Sequence, residues 1–469
     1  MKTTGINSEA LGRDLRRLLG GDRVSTEPED LLAYSSDATR YYAQGKPDAV
    51  VLVESVDEVS KLLKYANQHC VPVTPRGAGS GLSGGSTPIR GGIVLDMKRM
   101  NRILEISKGN MTARVESGVV LANFHRAVEK EKLFYPPDPQ SMDVCTIGGN
   151  VACRAGGPRG VKYGTTPNYV LGLEAVLPDG SVINTGGISV KQANGYNITQ
   201  ILTGSEGTLA VITKVNLRLL PLPPGRKTMI VVCDSARLAA EMVSRIIYEG
   251  VLPAVLEYLE VGAIWLMNTY SPIPVAQDGQ VYLLIEVDGT AAAIAEDIGV
   301  VKGIAEKMGA REVKVIEDKK QAEGIWKARK NLSPLILRIF QKSISEDVTV
   351  PRDRIPEMVQ AVREIGASLG VPVGMSGHAG DGNIHPGVQL MQITPEMEQK
   401  AEEAIGLMIE KGIELGGTVS GEHGIGLHKS RYLEKELGKV QIELMKRIKY
   451  AFDPNGIMNP GKIWTEVQA

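Results

Sequence analysis

Between Arg76 and Ser86 the chain reads Arg-Gly-Ala-Gly-Ser-Gly-Leu-Ser-Gly-Gly-Ser, with five glycines and two serines in the nine positions 77–85. A run so poor in side chains cannot build a core. It can turn through positive φ and aim successive backbone N–H groups at one anion, which is how a loop grips a diphosphate. A short strand pattern at 71–75 delivers the run, and an apolar strand pattern at 92–96 follows it, so it is not a free linker. The spacing is not Gly-x-Gly-x-x-Gly entering a helix, and the Gly-Lys-Ser/Thr of a P-loop is missing.

A chain of 469 residues with 43% apolar content is long enough for two or more domains, each with its own core. Its formal net charge of −1 and 4% aromatic content offer neither a basic stripe nor a base-stacking surface, which argues against nucleic-acid partners. No apolar run reaches the roughly 18 residues that span a bilayer, and the first residues lack a charged-then-apolar export pattern. The expectation is a cytoplasmic protein without a transmembrane segment. Cys70, Cys145, Cys153 and Cys233 form no Cys-x-x-Cys pair, so reduced thiols are expected and an iron–sulfur cluster in this chain is not.

The patterning divides the chain into three stretches: residues 1–221, a cap at 222–413, and a C-terminal segment at 414–469 that returns to the first. In the first stretch, 1–45 read as helix and loop and 49–53 as a strand. Ser55 and Glu58 read as a capping box before a helix with Val59, Leu62, Leu63 and Ala66 on one face. A second small-residue cluster lies at 146–157, and a third glycine turn, Gly204-Ser-Glu-Gly-Thr208, enters a strand. Three such turns together suggest one long ligand. Past the Pro-rich linker at 221–225 the pattern changes to strands at 228–232, 253–259, 281–287 and 312–316, with helices at 235–248, 291–308, 355–369 and 395–415. The fold class is α+β, and the cap is expected to be an antiparallel sheet with helices on one face.

Four of the six histidines fall between 378 and 428. They sit in Gly377-His-Ala-Gly-Asp-Gly-Asn-Ile-His385 and Ser420-Gly-Glu-His-Gly-Ile-Gly426, with the fourth at His428. The glycines exclude a helical His-Glu-x-x-His face. They suit two imidazoles, His378 and His385, at the ends of a tight turn, with the carboxylate of Glu422 brought in from elsewhere. Two His and one carboxylate leave open positions on a metal. Asp381 and Asn383 are expected to orient the imidazoles, although Asp381 serves equally as a turn former. His423, next to Glu422, can act as a general base near neutral pH. His69, His125 and His428 read as structural. Arg329, on a helix-like stretch, can clamp a carboxylate bidentately or form a surface ion pair.

With these residues assembled, the chain resembles, over nearly its full length, the FAD-linked oxidases and dehydrogenases of the vanillyl-alcohol-oxidase type. Within that family it resembles the branch of D-lactate dehydrogenases and flavin-bearing glycolate oxidase subunits. This implies a two-part FAD-binding domain and an α+β cap. The run Arg76, Gly77, Ala78, Gly79, Ser80, Gly81, Leu82 and Ser83 matches the family's pyrophosphate loop. Pro137 and Asp138, Gly148, Gly149 and Asn150, Gly156 and Gly157, and Gly164 match its other FAD-contacting segments. So do Gly204, Glu206 and Gly207, and, near the C-terminus, Asn459 and Lys462. His378, His385 and Glu422 match its metal ligands, His423 its proposed base and Arg329 its carboxylate-binding arginine. The glycine loop has no histidine, which implies non-covalent FAD. Gly387 stands where hydroxyglutarate-specific relatives carry Asn, which points away from that substrate.

The resemblance implies oxidation of a small D-2-hydroxy acid, D-lactate first and glycolate next. It also implies one divalent zinc, iron or manganese ion. Electrons would pass to an electron-transferring flavoprotein or an iron–sulfur subunit. Two other readings are a colourless metal-dependent hydrolase of a phosphorylated substrate and a catalytically silent electron-relay subunit that tolerates loss of His378 and His385.

Overall fold

The computed structural model describes residues 8–39 and 45–464. Residues 1–7 and 40–44 of the stretch read as helix and loop lie outside the described residues. Within it, Ser8–Leu19 and Pro28–Ala33 are helices. The chain divides into two compact units: Met1–Ala155, Thr165–Leu222 and Glu422–Ala469 form one, Gly156–Gly164 and Pro223–Gly421 the other. The chain thus returns to its first unit at 422 rather than 414. The nine-residue excursion at 156–164 left no mark in the sequence pattern.

In the first unit, Ala49–Leu52 and Val73–Arg76 pair in parallel with a central Ile93–Asp96. Helix Val56–Gln68 covers them with Val59, Leu62, Leu63 and Ala66, all fully buried. The Ser55 hydroxyl accepts from the Glu58 N–H at 3.3 Å, while the Glu58 carboxylate accepts from the N–H of Glu54 at 2.7 Å, so the box closes one residue early. The glycine run leaves the carboxyl end of Val73–Arg76, the end at which parallel sheets bind ligands. A five-stranded antiparallel sheet adds the order Ile103–Ser107, Thr112–Glu116, Val211–Arg218, Val170–Val176, Val182–Gly186.

The C-terminal segment closes the open edge of the parallel sheet. The Val73 N–H donates to the carbonyl of Ile457 and the Asn459 N–H to that of Val73, both at 2.8 Å. Buried Lys449 donates to Asp453 and to the carbonyls of Met458 (2.8 Å) and Thr208 (2.6 Å), which anchors this tail from inside.

In the second unit an eight-stranded sheet is antiparallel throughout. Helices cover both of its faces rather than the one expected. Ile230, Val232, Tyr282 and Leu284 pack toward Val261–Asn268, Lys319–Lys330 and Leu332–Ile339. The alternate residues Val231 and Leu283 are equally buried and face Ala236–Tyr248 and Ala291–Met308. A strand buried on both faces needs both covers.

Candidate active site

The cofactor side is built from bare backbone. A Cβ on Gly79, where φ is +69°, would lie 2.2 Å from the Arg76 guanidinium, and one on Gly77 would lie 2.3 Å from the Thr146 hydroxyl. Arg76 is buried beneath its own loop, donating to the carbonyl of Ser36 at 2.8 Å and stacking on Tyr34. Ala78 and Ser80 are half-buried, whereas Gly81 and Leu82 are exposed. Thr146 caps helix Ile147–Cys153 by accepting from Gly149, and a Cβ on Gly148 would strike Ser117 at 2.5 Å. Asn150 is buried on the same helix. Pro137 gives its carbonyl to His125 Nε2 at 3.0 Å, so His125 is structural, and Asp138 beside it is half-buried.

Four of the matched residues act as fasteners between loops. Asn459 Nδ2 donates to the carbonyls of Gly85 (2.8 Å) and Glu206 (2.7 Å), joining two of the glycine turns. Lys462 donates to the carbonyl of Thr87 at 2.7 Å, and burial pushes its amine down to about 8. The Glu206 carboxylate accepts the backbone N–H groups of Ile425 and Gly426, each at 2.8 Å. Burial pushes that carboxyl upward, and the two N–H groups oppose the shift. Ser83 donates its hydroxyl to the carbonyls of His423 (3.1 Å) and Gly424 (3.0 Å). Positive φ at Gly204, Glu206 and Gly207 makes the turn that aims Glu206. Gly156, Gly157 and Gly164 belong to the second unit.

His378 ends strand Val373–His378 and His385 is third in Asn383–Leu390. The glycine turn between them is a hairpin, with His378 opposite Asn383 and Ser376 opposite His385. The two rings lie 5.1 Å apart, edge to face. Asn383 does not orient an imidazole as expected. Its Nδ2 donates to Asp347 (2.5 Å) and Thr349 (2.8 Å), and Asp381 accepts from the Asn383 N–H at 3.3 Å as a turn former. Each imidazole has a partner at its Nδ1. His385 Nδ1 meets the carbonyl of Glu346 at 3.2 Å, and His378 Nδ1 meets the carboxylate of Glu257. With each Nδ1–H donated, each Nε2 carries its lone pair outward.

Glu422 is one peptide bond past Gly421, the last residue of the unit that carries both histidines. Gly421 is pressed so tightly on Asn383 and Thr349 that a Cβ would lie 2.0 and 2.2 Å from their side chains. Glu422 follows it directly in the chain, and ligand atoms of His378, His385 and Glu422 all lie within 4.8 Å of one another. Two neutral imidazole nitrogens and a carboxylate oxygen suit a divalent ion. His423, 18% exposed, has Nε2 4.0 Å from the Glu422 carboxylate. His428 is half-buried beside Lys429 and Arg431, and desolvation pushes it down to about 4, consistent with a neutral structural residue.

Arg329 lies on helix Lys319–Lys330 and is buried, not a surface pair. Its Nε and Nη2 meet Glu257 Oε2 at 2.6 and 2.5 Å. Glu257 was not singled out in the sequence. It is fully buried, and although burial alone would raise its carboxyl, Arg329 and His378 reverse this and hold it at about 2.

Two family models match the chain, the FAD binding domain at residues 47–186 and the C-terminal domain of FAD linked oxidases at residues 222–463. The chain belongs to the FAD-linked oxidases. Glycolate oxidase subunit GlcD of Bacillus subtilis (strain 168) is 42% identical over 435 residues, covering 93% of this chain and 92% of that one. The GlcD protein of Escherichia coli (strain K12) is 35% identical, covering 96% and 89%. A D-lactate dehydrogenase of Anaerostipes hadrus is 34% identical, covering 96% and 94%. Among solved structures, p-cresol methylhydroxylase with substrate bound aligns with a TM-score of 0.83 at 19% identity, covering 99% and 98%. The 4-ethylphenol oxidase of Gulosibacter chungangensis aligns at 0.80 and 20% identity, covering 99% of each chain.

The fold of this FAD-linked oxidase is therefore the vanillyl-alcohol-oxidase type, and the protein is an oxidoreductase that uses FAD. The first unit fits the cofactor: Gly77, Gly79, Gly148 and Gly204 have no room for a side chain, and the buried Asn459 Oδ1 and Ser117 Oγ have no protein partner among the described residues. The flavin-free hydrolase reading loses its basis. No helix among the described residues is long and apolar enough to cross a membrane.

Proposed function

We propose that this FAD-linked oxidase converts a D-2-hydroxy acid, D-lactate first and glycolate next, to the 2-oxo acid. The observation that carries the reading is the convergence of His378, His385 and Glu422, with His423 adjoining. The relatives named as glycolate oxidase and D-lactate dehydrogenase support it. FAD, when bound, would supply the two-electron acceptor for the hydrogen on the substrate α-carbon. A zinc, iron or manganese ion held by the three ligands would polarise the α-hydroxyl. His423 takes the hydroxyl proton. Arg329 offers its Nη1 edge to the substrate carboxylate, its other edge being held by Glu257.

Flavin is held without a covalent bond, since the loop at 76–86 has no histidine. The four cysteines are free thiols, consistent with a cytoplasmic protein. With no Cys-x-x-Cys motif, the chain passes its electrons to an electron-transferring flavoprotein or an iron–sulfur subunit.

Anaerobic mixing with a panel of D- and L-2-hydroxy acids tests the proposal. D-lactate or glycolate should bleach the flavin absorbance rapidly. His423→Ala should retain flavin and bleach at least 100-fold more slowly, about the order of a general-base contribution. Failure of every D-2-hydroxy acid overturns the substrate class, and undiminished bleaching in His423→Ala removes the base.

A further inference from the structure

We propose that Glu257 is a positioning residue that sets His378 and Arg329 together, so that one buried carboxylate governs both metal ligation and the arginine fork. The inference rests on the reading of His378, His385 and Glu422 as a metal centre. Strand Val255–Glu260 pairs with Val373–His378, with Tyr258 opposite Gly377 and Leu259 opposite Ser376. Continued one step, that register sets Glu257 beside His378. Helix Lys319–Lys330 brings Arg329 to the same carboxylate.

The two oxygens divide the work. Oε2 accepts both Nε and Nη2 of Arg329 at 2.6 and 2.5 Å, and Oε1 accepts the Nδ1–H of His378. Glu257 has no exposed surface and Arg329 is 8% exposed, so no water competes at these contacts. The Oε1 contact fixes the His378 tautomer and ring plane, leaving Nε2 as the ligating atom. The Oε2 contact locks one edge of the guanidinium and leaves Nη1 to meet a substrate. Neither assignment survives loss of the carboxylate. A glutamine has one acceptor for two donors, and its amide N–H groups would face either His378 Nδ1 or Arg329. In the first case the imidazole takes the opposite tautomer, with its proton on Nε2, and ceases to be a ligand.

The test is zinc affinity of the FAD-loaded protein after chelation, by competition with a chromogenic chelator, on the wild type, His378→Ala and Glu257→Gln. Glu257→Gln should weaken zinc binding by roughly 10–100-fold, the cost of losing a group that orients a ligating histidine, with flavin content unchanged. Its KM for the substrate should also rise. The double variant Glu257→Gln/Arg329→Gln leaves no unpaired buried cation, so it covers the case in which the single variant misfolds, and it should show the same loss. Wild-type zinc affinity in both Glu257 variants, with binding lost in His378→Ala, overturns the inference and leaves the metal centre standing. Equal and negligible zinc binding in the wild type and His378→Ala overturns the metal centre itself.

Discussion

The hydroxyl of Ser83 lies 3.1 Å from the carbonyl oxygen of His423, a bond between residues 340 positions apart. Ser83 belongs to the glycine run and His423 to the loop that carries the proposed base. The Leu427 N–H returns the contact by donating to the carbonyl of Ser83 at 2.7 Å. The cofactor loop and the loop of the base are therefore fastened to each other within one unit.

Ser83→Ala removes the donor from two half-buried carbonyls. We expect a loss of about 1 kcal/mol in stability and flavin reduction slowed on the order of ten-fold as His423 loosens, an effect of about 1.4 kcal/mol on the barrier. Flavin stoichiometry should not change. Urea unfolding and anaerobic stopped-flow absorbance measure the two quantities.

Glu206→Gln is a nearly isosteric change with a distinct outcome. The carboxylate accepts two N–H groups from 425 and 426, and an amide can accept both only on its single oxygen. Stability should fall by roughly 1.5–3 kcal/mol, the range for hydrogen bonds to a charged group, seen as a lower urea midpoint at unchanged slope. If Glu206 served the cofactor rather than this loop, flavin affinity would fall and the flavin-free protein would keep its stability.

Gly421→Ala would place a methyl group 2.0 Å from Asn383 Nδ2 and 2.2 Å from the Thr349 hydroxyl. Neither neighbour can withdraw freely, because Asn383 is bonded to Asp347, as is Ser420 at 2.8 Å. The chain must shift at the residue before Glu422. We expect metal content after dialysis to fall severalfold while flavin content holds, as measured by elemental analysis.

Lys462 gives the pH dependence. Its folded value of about 8 lies below the ordinary 10.5, because burial disfavours the charged amine. Between those values the unfolded chain binds more protons, so stability rises with pH through the window. Below pH 8 the full penalty applies, roughly 3 kcal/mol. In flavin-stripped protein, the wild type should gain on Lys462→Met as pH rises from 7.5 to 10. Parallel urea-unfolding curves across that range would contradict this.

Local patterns were well written in the sequence. Helices Ala291–Met308 and Ile355–Leu369 and strand Glu312–Ile316 follow their apolar periodicity to the residue. The pairing of His378 with His385 was legible because a hairpin keeps sequence neighbours together in space. Glu257 was not, because it sits in Val255–Glu260, a strand of apolar and acidic residues, and its partners are 72 and 121 positions away. Asn383 misled for the opposite reason. Its nearness in sequence to His385 suggested a hydrogen bond, but its Nδ2 is taken by Asp347 and Thr349 instead, 36 and 34 positions away. Helix Ser430–Phe452 was missed, and a non-helical Gly438 breaks its pattern midway.

The edge contact between Val73 and the segment around Met458 has a consequence for biosynthesis. A chain leaving the ribosome completes its second unit while the dinucleotide cradle still lacks a border strand. Asn459 and Lys462, which fasten that cradle, are made only after the whole second unit. Capture of the flavin in its finished nest thus waits for residues 457–462, and a nascent chain stalled before residue 457 should be pale.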